Sequence, residues 1–282
     1  GDARVSVVPF SDYVRIDPAL RGAAWLRPQP DHIATWNSLD RDASTNCRQE
    51  KLGETESTVC DTEVFITRTE NQTWIGCMGS RRDGYHVVPE YGVRQMQGPA
   101  GHTRCSESFN ILHPLNTDLT AVNAIIQDLD PIGKTYIPAG LIWGWRTLDR
   151  NLPFDEAKAS DATDTRDVLL LMTDGTNTIS LTEYEPYQSE KGYEGLYHWG
   201  EGSEEENARI ANQLTTELCT SIKASGIDIV TVAFEVTDVE TISMLRRCAS
   251  SPSKFFNAQS NNALIQAFER IGSGFTDVRL SR

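Results

Sequence analysis

The sequence predicts an α/β protein, a doubly wound and mostly parallel sheet with helices on its faces and a loop-rich insertion. Three observations predict this class. The apolar run at residues 168–172, led in by Arg166 and Asp167, is too short for a free-standing helix and suits a strand buried on both faces. Residues 227–234 make a second run of the same kind. Around and after these runs, helical stripes alternate with strands to the end of the chain, the order of wound α/β sheets.

In chain order, residues 4–10 read as a strand and 13–16 as a second short one. Pro9 cannot donate to a ladder and marks an edge or bulge. From residue 18 to 113 the character changes. This stretch holds Pro28, Pro30, Pro89 and Pro99, four of the six cysteines, and no sustained helical period. It reads as an insertion braced by disulfides, with short strands such as residues 63–69, set between two parts of one domain (residues 1–17 and 114–282). Asn71-Gln-Thr73 matches a glycosylation sequon, a triplet common by chance. His32, His86, His102 and His113 lack the spacing of a metal site and read as surface or core histidines.

Leu119, Val122, Ile125, Ile126 and Leu129 then share one helical face, with Asn116 or Thr117 as cap and Asp130-Pro131 as stop. Pro138 suits the first turn of a second helix, striped by Leu141, Ile142, Trp145 and Leu148. A polar linker at 155–167 precedes the strand at 168–172. Residues 176–206 form an acidic loop with Tyr184, Tyr187, Tyr193, Tyr197 and Trp199, either a contact surface or a segment packed on the domain. Ile210, Leu214, Leu218 and Ile222 make a helical stripe that Gly226 stops. After the strand at 227–234, Thr237 and Glu240 form a capping box for a helix with Val239, Ile242, Leu245 and Cys248 inward. Residues 254–256 are a short strand, Leu264, Phe268 and Ile271 line a last helix, and residues 275–280 trail off extended.

A net charge of −14 argues against nucleic acid, whose phosphates would be repelled. No apolar run approaches the roughly 20 residues of a membrane span, and no signal segment opens the chain. Gly1-Asp2-Ala3, without an initiator Met, reads as a processed or truncated start. The cysteines, Cys47, Cys60, Cys77, Cys105, Cys219 and Cys248, include no Cys-x-x-Cys pair. Three disulfides in an oxidising compartment explain them better than buried thiols do. Cys219 and Cys248 fall on the two helices flanking the strand at 227–234 and are expected to pair. The other four then pair within the insertion, in an order left open.

Catalytic patterns are lacking. Gly133-Lys-Thr135 resembles the end of a P-loop, but Asp128 stands at the earlier glycine position and the loop follows a helix. There is no Gly-x-Ser-x-Gly and no His-Glu-x-x-His, and Asp164, Asp167 and Asp174 carry no acid–base assignment. The chain is therefore expected not to be an enzyme; a hydrolase using Asp174 is the weakest reading. Asp174-Gly175 ends the strand at 168–172, where α/β sheets bind ligands, though the pair also suits a plain turn. A loop hydroxyl at Thr135 and the carboxylate of Asp174 can converge there, and hard divalent cations take oxygen ligands of this kind. Two ligands alone bind weakly.

Five segments carry a resemblance: Val5-Ser-Val-Val-Pro-Phe-Ser11, Gly140-Leu-Ile-Trp-Gly-Trp-Arg146, Leu171-Met-Thr-Asp-Gly175, Cys248-Ala-Ser250 and Val278-Arg-Leu-Ser281. Together they resemble von Willebrand factor A-type domains, in particular those of TadE/TadG-like proteins of bacterial tight-adherence (Flp/Tad) pilus systems. The resemblance implies a metal-ion-dependent adhesion site from three loops, with Thr135 matching the second loop and Asp174 the third. The first loop, Asp-x-Ser-x-Ser at the end of a central first strand, has no match; Asp42-Ala-Ser-Thr-Asn46 is the nearest string and no strand is expected before it. An absent central strand would leave backbone groups unpaired inside the sheet. An upstream segment or a separate chain is therefore expected to supply it, and Mg²⁺ (or Mn²⁺ or Ca²⁺) is expected to bind weakly or not at all without it. The implied function is a periplasmic or cell-surface protein-binding module in pilus assembly or adhesion, anchored to the membrane upstream. The alternative is a structural subunit of the same fold without a working metal.

Overall fold

A computed structural model describes residues 3–40, 42–52, 55–79, 87–88, 95–98, 110–151, 153–159, 165–178 and 203–276. The chain divides into two units, one made of Gly1–Gln29 with Trp74–Arg282 and the other of Pro30–Thr73.

In the larger unit, β1 (Val5–Val7) pairs antiparallel with β10 (His113–Asn116), with an irregular register between Val5 and Val7. Short ladders join β2 (Val14–Arg15) to β8 (Cys77–Met78) and β3 (Leu26–Pro28) to β9 (Met96–Gly98). Strands β11 (Val168–Thr173), β12 (Asp228–Phe234) and β13 (Phe255–Ala258) form a three-stranded parallel sheet in that order. Five helices accompany them among the described residues: α1 (Leu119–Gln127), α2 (Ile137–Leu148), α3 (Glu204–Ala224), α4 (Val239–Cys248) and α5 (Asn261–Thr276).

The parallel sheet has helices on both faces. Leu169, Leu171, Ile229 and Ala233 join the main core with residues of α2, α3 and α4. Val230, Val232 and Ala258 form a second core with Ile271 of α5. The expected single wound sheet is, however, divided. Among the described residues no ladder joins β11 to the β1–β10 pair, and helix α2 packs against both pieces. Ser6 of β1 hydrogen-bonds Thr147 of α2 (2.8 Å). A Cβ on Gly140 would sit 2.5 Å from the Phe10 ring, and one on Gly144 would sit 3.2 Å from Leu169. Both positions thus let neighbours close on the helix. Strand β11 also departs from expectation: it alternates, with Leu169, Leu171 and Thr173 buried and Leu170 37% exposed. Full burial fails because Leu170 belongs to the thinly covered face.

The caps differ from their sequence assignments by one or two residues. Asp118, rather than Asn116 or Thr117, caps α1 by accepting from the N–H groups of Thr120 and Ala121, while Asn116 accepts from Asp118 N. Asp238, rather than Thr237, caps α4 through Thr241 N. The inward face of α4 is accordingly Thr241, Met244, Leu245 and Cys248, and Val239 is exposed. On α1 only Val122 is buried; Leu119, Ile126 and Leu129 are exposed. Phe268 of α5 is exposed as well, α5 continues through the start of the expected tail, and residues 277–280 lie outside the described set.

The smaller unit contains two antiparallel pairs. Strand β4 (His32–Leu39) pairs with β7 (Phe65–Gln72), and β5 (Arg48–Leu52) with β6 (Thr55–Val59). The disulfide Cys47–Cys60 closes the second pair just outside its last rung, Arg48 opposite Val59. The unit is narrower than the insertion expected at 18–113. Trp25, Leu26, Trp74, Met78 and Met96 are buried in the main core and carry residues on either side of 30–73 into the larger unit.

Cys219 of α3 is bonded to Cys248 of α4. Cys77 is also disulfide-bonded, and Cys105 lies outside the described residues. A sequence separation of 29 gives a loop-closure term of about 3.5 kcal/mol. Replacing both Cys219 and Cys248 with Ser should lower unfolding free energy by about 3 kcal/mol in urea titrations.

At the amino edge of the parallel sheet, Asp228 accepts from Arg166 before β11 and Lys254 before β13, each at 2.5 Å. Partial burial raises its pKa, but the hydrogen bonds from Lys254 and Arg166 outweigh this and hold the carboxyl below its ordinary value. A depressed folded pKa means the contribution is complete above the unfolded value near 3.8 and fades as pH falls through the folded one. Asp228→Asn should therefore cost about 1 kcal/mol at neutral pH, a difference that vanishes in acid below the folded pKa.

Candidate functional site

Two loops meet at the carboxyl end of β11 and the amino end of α2. The first runs from Ile132 to Thr135, turning at Gly133, whose φ of 94° lies in the left-handed region open to glycine. The second follows β11 and carries Asp174, Gly175, Asn177 and Thr178. They are joined by a reciprocal pair: Thr135 N donates to Thr178 Oγ1 (3.0 Å), and Thr178 N donates to Thr135 O (2.8 Å).

Asn177 completes the joint. The cap position of α2, Tyr136, makes no side-chain capping bond. Asn177 Oδ1 instead accepts from Ile137 N (2.8 Å), satisfying a first-turn N–H from outside the helix. Its Nδ2 donates to Asn212 Oδ1 (2.8 Å) and reaches Thr215 Oγ1 (3.5 Å), both on α3. At 2% exposure, this side chain links three elements without solvent.

The joint bonds the loop that carries Thr135 to the loop that carries Asp174. Thr135 Oγ1 lies 3.7 Å from the position a Cβ would take on Gly175, the neighbour of Asp174. Thr135 is half-buried and Asp174 is exposed at the rim. A short segment after β1 closes the other side. Tyr136 N donates to Ser11 O (2.9 Å), and Lys134 N donates to Asp12 Oδ2 (3.0 Å). Because a carboxylate takes the Lys134 N–H, the Gly133-Lys134-Thr135 turn does not offer that donor to a phosphate.

Sequence reasoning missed Asp12 and Asn177. Both follow the signal that singled out Asp174, a polar residue just past an apolar strand-like run. Asp12 was passed over because its partner is 122 positions away. Asp42 N and Ala43 N donate to Asp40 Oδ1 in a turn of the smaller unit that directly follows β4, so a strand does precede Asp42-Ala-Ser-Thr-Asn46, against expectation. The aromatic loop residues Tyr184 to Trp199, and Asp164, lie outside the described residues. Among the described residues no three of His, Cys, Asp or Glu gather as a metal cluster.

No protein-family model matches the chain, and no curated protein matches it. Several solved structures are similar. The pilus adhesin SpaC from Lactobacillus rhamnosus GG matches at 15% identity and a TM-score of 0.40, over 58% of this chain and 22% of that one. The vWF domain of the type V pili tip protein Mfa5 from Porphyromonas gingivalis matches at 15% identity and 0.40, over 60% and 76%. Proximal thread matrix protein 1 from the mussel byssus matches at 17% and 0.31, over 55% and 28%. The chain thus spans under a third of SpaC and of the byssus protein.

Asn177→Ala would strand Ile137 N in a dry interior and remove the α2–α3 link. A loss of about 2 kcal/mol in unfolding free energy is expected, measured by chemical denaturation.

Proposed function

We propose that the chain is an extracytoplasmic protein-binding module that contacts its partner through a divalent cation held between the Thr135 and Asp174 loops. The observation that carries this reading is the joint between the two loops, where Thr135 N donates to Thr178 Oγ1 and Thr178 N donates to Thr135 O, with Thr135 Oγ1 3.7 Å from where a Cβ on Gly175 would stand. The donors at hand are a hydroxyl, an exposed carboxylate and a buried carboxylate oxygen, all hard ligands, and they fit Mg²⁺, Mn²⁺ or Ca²⁺. Thr135 and Asp174 would hold the ion. When bound, it supplies an open coordination position for a carboxylate of the partner. The reciprocal bonds keep the two ligands in register, and Asn177 holds the start of α2 behind them.

Two ligands make a weak site, so further donors are required. The edge of β11 that has no ladder among the described residues supports a further strand, supplied by an upstream segment of the same polypeptide or by a separate chain, bringing additional oxygen ligands to the rim. The disulfides support an oxidising compartment, the periplasm or cell surface. No helix among the described residues is long and apolar enough to cross a membrane, so the membrane anchor in this reading lies outside them. The sequence resemblance supports a TadG-like role in pilus assembly or adhesion and a pilus or cell-envelope partner.

A second reading keeps the fold and drops the metal. It is favoured by the exposed apolar side chains Leu119, Ile126, Leu129 and Ile132, a surface able to make protein contacts without a cation. Calorimetric titration of the full-length natural polypeptide with Mn²⁺ separates the two. Saturable binding weakened at least about tenfold by Asp174→Ala or Thr135→Ala is expected for the cation module. An absence of binding would leave the metal-free reading.

A further inference from the structure

Among the described residues Asp12 is the one buried carboxylate at the joint, 2% exposed, and only one of its oxygens has a hydrogen-bond partner among them. Its Oδ2 accepts the Lys134 N–H, while Oδ1 has no hydrogen-bond partner among the described residues. A buried carboxylate oxygen left unmet is costly, so such a group calls for a donor or a positive charge. Lys134 is adjacent to Thr135, so its bond to Asp12 sets the negative charge of Asp12 against the loop that carries Thr135. The rung from Tyr136 N to Ser11 O holds that loop against the Asp12 segment on its other side.

We propose that Asp12 is a positioning residue of the cation site. It fixes the Lys134–Thr135 backbone through Oδ2, and its Oδ1 accepts a hydrogen bond from water on a divalent cation held at Thr135 and Asp174. This rests on the cation reading above and adds to it a buried charge. A carboxylate in a weakly screened interior attracts a nearby divalent ion more strongly than an exposed one does. The same charge sets a preference for cations over anionic ligands at this end of α2, where the helix amino terminus alone would favour anions. Occupation of the site satisfies the oxygen that folding leaves without a partner.

The test separates charge from scaffolding. Asp12→Asn keeps an oxygen that can accept from Lys134 N but removes the charge; Asp12→Ala removes both. In the full-length polypeptide, amide hydrogen exchange at Lys134 and Mn²⁺ affinity by calorimetry are measured for parent, Asp12→Asn and Asp12→Ala. Asp12→Asn is expected to keep Lys134 protection and weaken Mn²⁺ binding about tenfold, as loss of a nearby buried charge implies. Asp12→Ala should lose both. Unchanged Mn²⁺ affinity in Asp12→Asn would overturn the inference, leaving the carboxylate a fold element. Lys134 protection lost as fully in Asp12→Asn as in Asp12→Ala would also overturn it. A parent protein that binds no Mn²⁺ would instead bring down the cation reading, and Asp12's role with it.

Discussion

Helix α2 is buried along nearly its whole length, and a helix so enclosed must admit neighbours on several sides at once. Gly140 admits the Phe10 ring and Gly144 admits Leu169. Trp143 fills the space towards Trp25 and Phe154, with ring centroids 6.5 and 6.1 Å away. Arg146, also buried, lies with its guanidinium 4.4 Å over the Trp143 ring. Interiors pack densely enough that one added carbon at either glycine forces its surroundings to move. The two sheet pieces are held in one unit through this helix. The site depends on it too, because Thr135 immediately precedes the helix's first turn.

The parts legible in the sequence are those whose burial has a period. Leu214, Leu218 and Ile222 are buried along α3, and β12 is buried through its middle, as their patterns require. The pairing of Cys219 with Cys248 was readable because both fall at inward positions of helices packed beside one strand. Caps were harder. Thr117 and Asp118, or Thr237 and Asp238, are adjacent residues with equal chemical claims to the position, and only backbone geometry separates them. On α4 the expected inward residues Leu245 and Cys248 are buried and Ile242 packs partly buried against the core, while Val239, the first residue of the helix, is exposed.

The smaller unit was only partly legible, the strand expected at residues 63–69 overlapping β7, and for a different reason. Strand β7 is exposed at most of its positions, so neither face carries the alternation that marks a half-buried strand. Its order comes from the eight-rung ladder to β4, information that resides in pairing rather than in either segment. The boundaries of the unit shifted for a related cause. Trp25 and Trp74 lie in loop-like sequence, and only long-range contacts place them in the main core. In the candidate site, Thr135 and Asp174 were singled out because loop hydroxyls and strand-end carboxylates have recognisable contexts. Asp12 and Asn177 share that strand-end context, but their partners lie far along the chain, and the local sign alone does not say what they bond.

A ligand pair on two loops is useful only if the loops do not have to be ordered at the moment of binding. Ordering even one residue costs about 1–2 kcal/mol, comparable to what one weak ligand contributes. Here Thr135 is flanked by bonds on both sides: Lys134 to Asp12 and Tyr136 to Ser11 behind it, Thr178 across from it. None of these bonds uses the Thr135 hydroxyl. Asp174 is different, exposed and next to the flexible choice of a glycine. In the proposed cation site, the arrangement would therefore combine one preset ligand with one adjustable ligand. Such a pair suits a cation whose remaining ligands arrive with another strand or another protein, because the rim can adapt while the inner loop holds its position.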